Sequence, residues 1–161
     1  FVLSTEPLAP VPSQYKAKVP KKGMVADMAF VQKKLKAPNC RLIDGRPPEQ
    51  FSGEKSGAVY HTKQMHSRKG HIPGAVNVFW QDNFNPDATF KSVKELKALY
   101  ESAGILPEND VITYCNEGLH AAPPWFVLTQ LLRYKNVHLY DSSMAEWAES
   151  DQPMSTLPKS N

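Results

Sequence analysis

The sequence predicts an α/β fold, a mostly parallel central sheet flanked by helices on both faces. Short apolar runs of strand length, CRLID, AVNVFW, DVITYC and NVHLY, alternate with segments whose apolar residues recur at helical spacing. Parallel strands need such crossover connections, and strands covered on both faces read as continuous apolar runs rather than as alternating ones.

The elements follow in order. Residues 1–22, FVLSTEPLAPVPSQYKAKVPKK, hold Pro7, Pro10, Pro12 and Pro20 without a helical or strand period, so an extended Pro-rich arm or linker is expected there. One domain is expected over 23–150, followed by a tail over 151–161. VADMAFVQKKLK sets Val25, Met28, Ala29 and Leu35 at helical spacing and stops before Pro38. CRLID reads as a buried strand and PPEQF as a helical turn. SGEKSGAVYHTKQMHSRKG has no period and reads as a loop. AVNVFW is a strand, and SVKELKALYESAG is amphipathic, with Val93, Leu96, Leu99 and Tyr100 on one face and Gly104 as its stop. DVITYC is the next strand. PPWFVLTQLLRY is apolar nearly all round and reads as a buried helix, NVHLY as a last strand and SMAEWA as a short closing helix. There is no internal repeat.

With 161 residues and 41% hydrophobic content the chain has material for one core. A net charge of +3 is mildly basic and favours small anionic substrates over nucleic acid, which calls for denser Lys/Arg clusters. No apolar run reaches the length of a membrane span. The sequence opens on Phe1 rather than Met, so a processed chain or fragment is expected, without a visible targeting signal. A soluble domain, cytoplasmic or periplasmic, is the corresponding expectation.

The two cysteines, Cys40 and Cys115, make neither a disulfide scaffold nor a CxxC pair. His61, His66 and His71 recur every five residues, which fits neither face of a helix, so no metal site and no cofactor are expected. Lys63, Arg68 and Lys69 either steer anions or belong to a solvated loop. Trp80, Trp125 and Trp147 are expected in the core, with Trp80 near a pocket mouth.

Chemistry concentrates in DVITYCNEGLHAAPPWF. A buried strand ends at Cys115, a polar loop with Gly118 follows, and Pro123–Pro124 open a helix. Ligand sites in open parallel sheets lie at the carboxyl ends of strands. Loop amides and a helix N-terminus stabilise an anion there, so a lowered thiol pKa is expected for Cys115. The alternative is an inert buried strand cysteine, which is the expectation for Cys40.

These segments resemble the rhodanese family of sulfurtransferases. RKGHIPGAVNVFW is similar to the family's GHIPGA signature and the strand after it, LIDGRPPEQFSGE to the preceding strand and short helix, and VITYCNEGLHAA to the strand and active-site loop. YDSSMAEWA resembles the closing signature of the C-terminal domain in tandem rhodaneses, from which Ser143 and Met144 depart. The likeness spans roughly residues 24–150 in order.

The resemblance implies a sheet of about five strands, and a Cys115 that holds sulfane sulfur as a persulfide between a small anionic donor such as thiosulfate and a thiol or cyanide acceptor. It implies that Asn116, Glu117, Gly118, Leu119, His120 and Ala121 cradle the sulfur, that Arg46 binds the donor and that Asp44 is a buried structural acid. A second rhodanese domain outside this chain is a further implied partner. Glu117 and His120 stand where active loops often carry Arg or Lys, so weak thiosulfate use is expected, with Glu117 repelling the donor and Arg46 supplying the fixed positive charge. Gln50 and His120 replace residues preferred by mercaptopyruvate sulfurtransferases. Ala121 stands where related phosphatases and arsenate reductases need an arginine. A sulfur-carrier or interaction module remains as one alternative, and a mercaptopyruvate sulfurtransferase or a cysteine-based reductase as another.

Overall fold

The computed structural model describes residues 5, 9, 12–16 and 23–158. The arm expected over 1–22 lies largely outside the described residues. The rest forms one five-stranded sheet, and every pairing in it is parallel.

In chain order the strands are β1 (Val25–Ala26), β2 (Cys40–Asp44), β3 (Ala75–Asn77), β4 (Asp110–Tyr114) and β5 (Val137–Tyr140), arranged β1-β5-β4-β2-β3. The helices are α1 (Met28–Lys34), α2 (Pro48–Ser52), α3 (Val93–Ser102), α4 (Ala122–Phe126) and α5 (Ser143–Trp147). One expected helix begins later than its spacing suggests. Val25 and Ala26 pair with Leu139 and Tyr140 as an edge strand, and Asp27 then caps α1 by accepting the Phe30 amide at 2.7 Å. A further π-helical turn, Val127–Leu131, continues α4.

Side chains alternate across the sheet into two cores. Leu42, Ile112, Tyr114 and Tyr140 pack with Val31 of α1 and Met144 and Trp147 of α5. Ile43, Val111 and Val137 pack on the other face with Leu96 and Tyr100 of α3 and with Val127 and Leu128. Two-sided burial explains why these strands read as unbroken apolar runs. Helix α3 starts at a capping box formed by Ser92 and Glu95.

The segment expected as a tail is docked. Ser155 exchanges two backbone hydrogen bonds with His71 at 2.8 and 2.9 Å, and the Leu157 amide donates to Ser52 at 3.0 Å. Arg68 donates to the carbonyls of Trp147, Ala148, Ser150 and Gln152, so it ties up the chain end after α5 instead of steering anions.

Candidate active site

Cys115 follows the last residue of β4 and is only 1% exposed. The backbone N–H groups of Glu117, Ala121 and His120 point at its sulfur. The loop closes through Gly118, whose φ is +86°, and a Cβ there would run into the Asp141 carboxylate. Both the backbone angle and the close approach call for glycine.

What holds the loop in this shape comes from the chain after β5. Ser143 is fully buried, with a left-handed φ of 51°. Its Oγ accepts the amides of Cys115 at 3.0 Å and Gly118 at 3.2 Å and donates to the Tyr140 carbonyl at 2.7 Å. The first amides of α5 take the loop's carbonyls, with Met144 donating to Cys115 at 3.1 Å and Ala145 to Asn116 at 2.8 Å. Residues 143–145 thereby take the amides of Cys115 and Gly118 and the carbonyls of Cys115 and Asn116, which leaves the amides of Glu117, His120 and Ala121 for an anion, as in a nest. Ser143 and Met144, two departures from the expected signature, are what fasten the loop.

Asn116 is fixed from the opposite side. Its Nδ2 donates to Gln50 of α2 at 3.1 Å, and its Oδ1 lies 3.0 Å from Nε2 of His66. With the amide nitrogen donating, the oxygen must accept, so His66 carries its proton on Nε2. Burial holds His66 below its ordinary pKa. Gly57 lets these groups meet, because a Cβ there would strike Asn116 Oδ1. The role of His66 is not legible in its aperiodic loop segment, since its partner lies 50 residues away.

Arg46 does not face the pocket. It is 1% exposed, and its Nε and Nη2 are spent on Asp44 at 2.9 and 2.6 Å, with Nη2 also donating to the Gly70 carbonyl at 2.7 Å. The expected donor-binding cation is thus one half of a buried ion pair with the structural acid Asp44. The charge near the opening is Lys63 instead. A pocket of about 170 Å³ opens beside Cys115, lined by the loop, by Gln50, and by Ala58, Val59, Tyr60 and Lys63. Glu117 does not point freely at an incoming donor, because its Oε1 accepts the Tyr60 amide at 2.9 Å. His120 stacks on Trp80, ring centroids 4.8 Å apart and 5° from parallel, so Trp80 backs a lining residue and is not itself among those that line the pocket. The described residues contain no group of three or more His, Cys, Asp or Glu side chains placed for a metal ion.

Residues 27–150 match the Rhodanese-like domain family. The chain is 39% identical over 145 residues to a provisionally named thiosulfate sulfurtransferase of Mycolicibacterium smegmatis, covering 90% of this chain and 52% of that one. The chain belongs to the rhodanese family. This rhodanese domain is also 42% identical over 114 residues to the sulfur carrier protein TtuD of Thermus thermophilus, covering 71% of this chain and 40% of the relative. Its fold superposes with a TM-score of 0.76 on the complex of EanB/Y353A with ergothioneine, at 24% identity and over 90% of this chain and 36% of that one. The chain therefore spans about half, or less, of the relatives it matches. Among the described residues no helix is long and apolar enough to cross a membrane.

One electrostatic expectation for the rhodanese loop is corrected. Burial pushes the Cys115 thiol above its ordinary pKa, and the three loop amides only partly offset that cost. His120 is held below its usual pKa by burial, so it is neutral through the range in which the thiol ionises. Thiolate is the reactive form. The rate of iodoacetamide capture at Cys115 is accordingly expected to keep climbing with pH beyond about 8.5, the value of an unperturbed thiol. A plateau already reached near neutrality would show that the amides outweigh desolvation.

Proposed function

We propose that this rhodanese domain is a sulfurtransferase that moves sulfane sulfur from a donor such as thiosulfate to a thiol or cyanide through a persulfide on Cys115. The supporting observation is the convergence of three backbone amides on a buried sulfur at a strand end. Fixed N–H dipoles suit a sulfur that is anionic both as thiolate and as persulfide, and they need no rearrangement between the two.

In the loading step the Cys115 thiolate attacks the outer sulfur of thiosulfate. An S–S bond forms on Cys115, the donor's S–S bond breaks, and sulfite leaves with the electron pair. In the second step cyanide attacks the outer sulfur of the persulfide, giving thiocyanate and restoring the thiolate. Asn116, Glu117, Gly118, Leu119, His120 and Ala121 are assigned to the loop around the sulfur. Arg46 is assigned to the support beneath it, where its charge is felt at Cys115. A second rhodanese domain is the proposed neighbour, since the relatives are about twice as long.

Incubation with thiosulfate followed by intact mass tests the first step, and thiocyanate formation with cyanide the second. One added sulfur atom and catalytic thiocyanate support the transferase. The adduct without turnover supports the carrier reading, which the similarity to TtuD favours. No adduct defeats both.

A further inference from the structure

Residues 57–66 form a small folded strap over the pocket. Ala58 and Met65 make an antiparallel bridge, the Lys63 amide donates to Val59 at 2.8 Å, and the His66 amide donates to Gly57 at 2.9 Å. The strap is joined to the active-site loop where Glu117 accepts the Tyr60 amide at 2.9 Å. The Lys63 ammonium sits over the Tyr60 ring, 4.1 Å from its centroid, and no ion pair of Lys63 occurs among the described residues. Arg46 is turned inward and His120 is neutral, so Lys63 is the fixed positive charge on the pocket wall.

The same wall carries Gln50, Asn116 and Glu117, and its apolar part is made by Ala58, Val59, Tyr60 and Leu119. An inorganic dianion gains nothing from such a surface, whereas a carbon chain does. We infer that the strap is the specificity element of this site and selects a small organic thiol acceptor with an apolar body and an anionic end. Lys63 holds the anionic end, and the thiol reaches the sulfur on Cys115. This rests on the sulfur-transfer reading. The acceptor thiol gives its proton to solvent, its sulfur bonds the outer sulfur of the persulfide, and the Cys115–sulfur bond breaks to return the thiolate. Glu117 is a positioning residue, since it keeps the strap where Lys63 and Tyr60 line the path.

The test uses protein first loaded with thiosulfate and then offered 6-mercaptohexanoate or 6-mercaptohexan-1-ol. The two acceptors attack with equivalent thiols and differ only at the far end. The anionic acceptor is expected to show a kcat/KM about threefold or more above the neutral one, as an exposed charge pair allows. Lys63→Gln should bring the ratio to about one. Glu117→Ala should also lower the ratio, because the strap is released, whereas simple charge repulsion by Glu117 would raise it. A wild-type ratio of one, a ratio unmoved by Lys63→Gln, or a rise in Glu117→Ala overturns the inference. Failure to load sulfur at all overturns the sulfur-transfer reading instead. Protection of Cys115 from iodoacetamide by hexanoate but not by hexanol would then still decide the binding claim.

Discussion

Cys115→Ser is expected to take up no sulfur from thiosulfate by intact mass and to form no thiocyanate, while Cys40→Ser does both. A serine hydroxyl stays protonated at working pH and cannot carry a sulfane sulfur, so the loss should be complete rather than graded. The fold should survive, because the loop is held by backbone groups, Ser143 and α5, none of which needs the sulfur. Cys40 cannot substitute. It pairs with Asp110 at the start of β4, so the length of that strand, about 16 Å at 3.3 Å per residue, separates it from Cys115. That distance also excludes a disulfide between the two. Burial and the nearby Asp110 carboxylate both raise the Cys40 thiol pKa, which suits an inert packing residue. Sulfur uptake by Cys115→Ser would remove Cys115 from the mechanism, and its loss in Cys40→Ser would overturn the inert role of Cys40.

Sequence alone gave access to whatever is local or periodic. The parallel sheet, its apolar strands and the position of Cys115 at a strand end were readable from CRLID, DVITYC and NVHLY, because two-sided burial leaves a continuous apolar signature. The short β1 was not, since two residues at an edge have no period of their own. Contacts that depend on the chain's return were equally hidden. Glu117 meets Tyr60 across 57 positions, and Ser143 meets Cys115 across 28. An exposed loop such as YHTKQMH carries no pattern announcing that it covers a pocket. The inward turn of Arg46 is hidden for a related reason. A basic residue two positions after a strand's Asp reads the same whether it faces a ligand or folds back on that carboxylate, and only the burial of both decides.

That burial makes Arg46→Ala the second large effect. Asp44 and Arg46 are 0% and 1% exposed, and the guanidinium meets the carboxylate through Nε and Nη2. Truncating the arginine leaves a buried carboxylate with only the Arg46 backbone amide, at 2.9 Å, among these bonds. Breaking one half of such a pair costs about 3–5 kcal/mol. For a domain of this size that corresponds to a fall in Tm on the order of 10 °C. Arg46→Lys keeps the charge but loses the fork and its reach to the Gly70 carbonyl, so it should fall between the two. The decisive arm is the double variant Asp44→Asn/Arg46→Ala, which removes the orphaned charge and should be less damaged than the sum of its parts. Denaturant midpoints for the wild type, Arg46→Ala, Arg46→Lys, Asp44→Asn and the double variant, measured beside the thiosulfate KM, separate the alternatives. A donor-facing arginine predicts a raised KM at unchanged stability, while the buried pair predicts lost stability, coupling in the double variant, and a KM that follows only as far as the loop above it loosens.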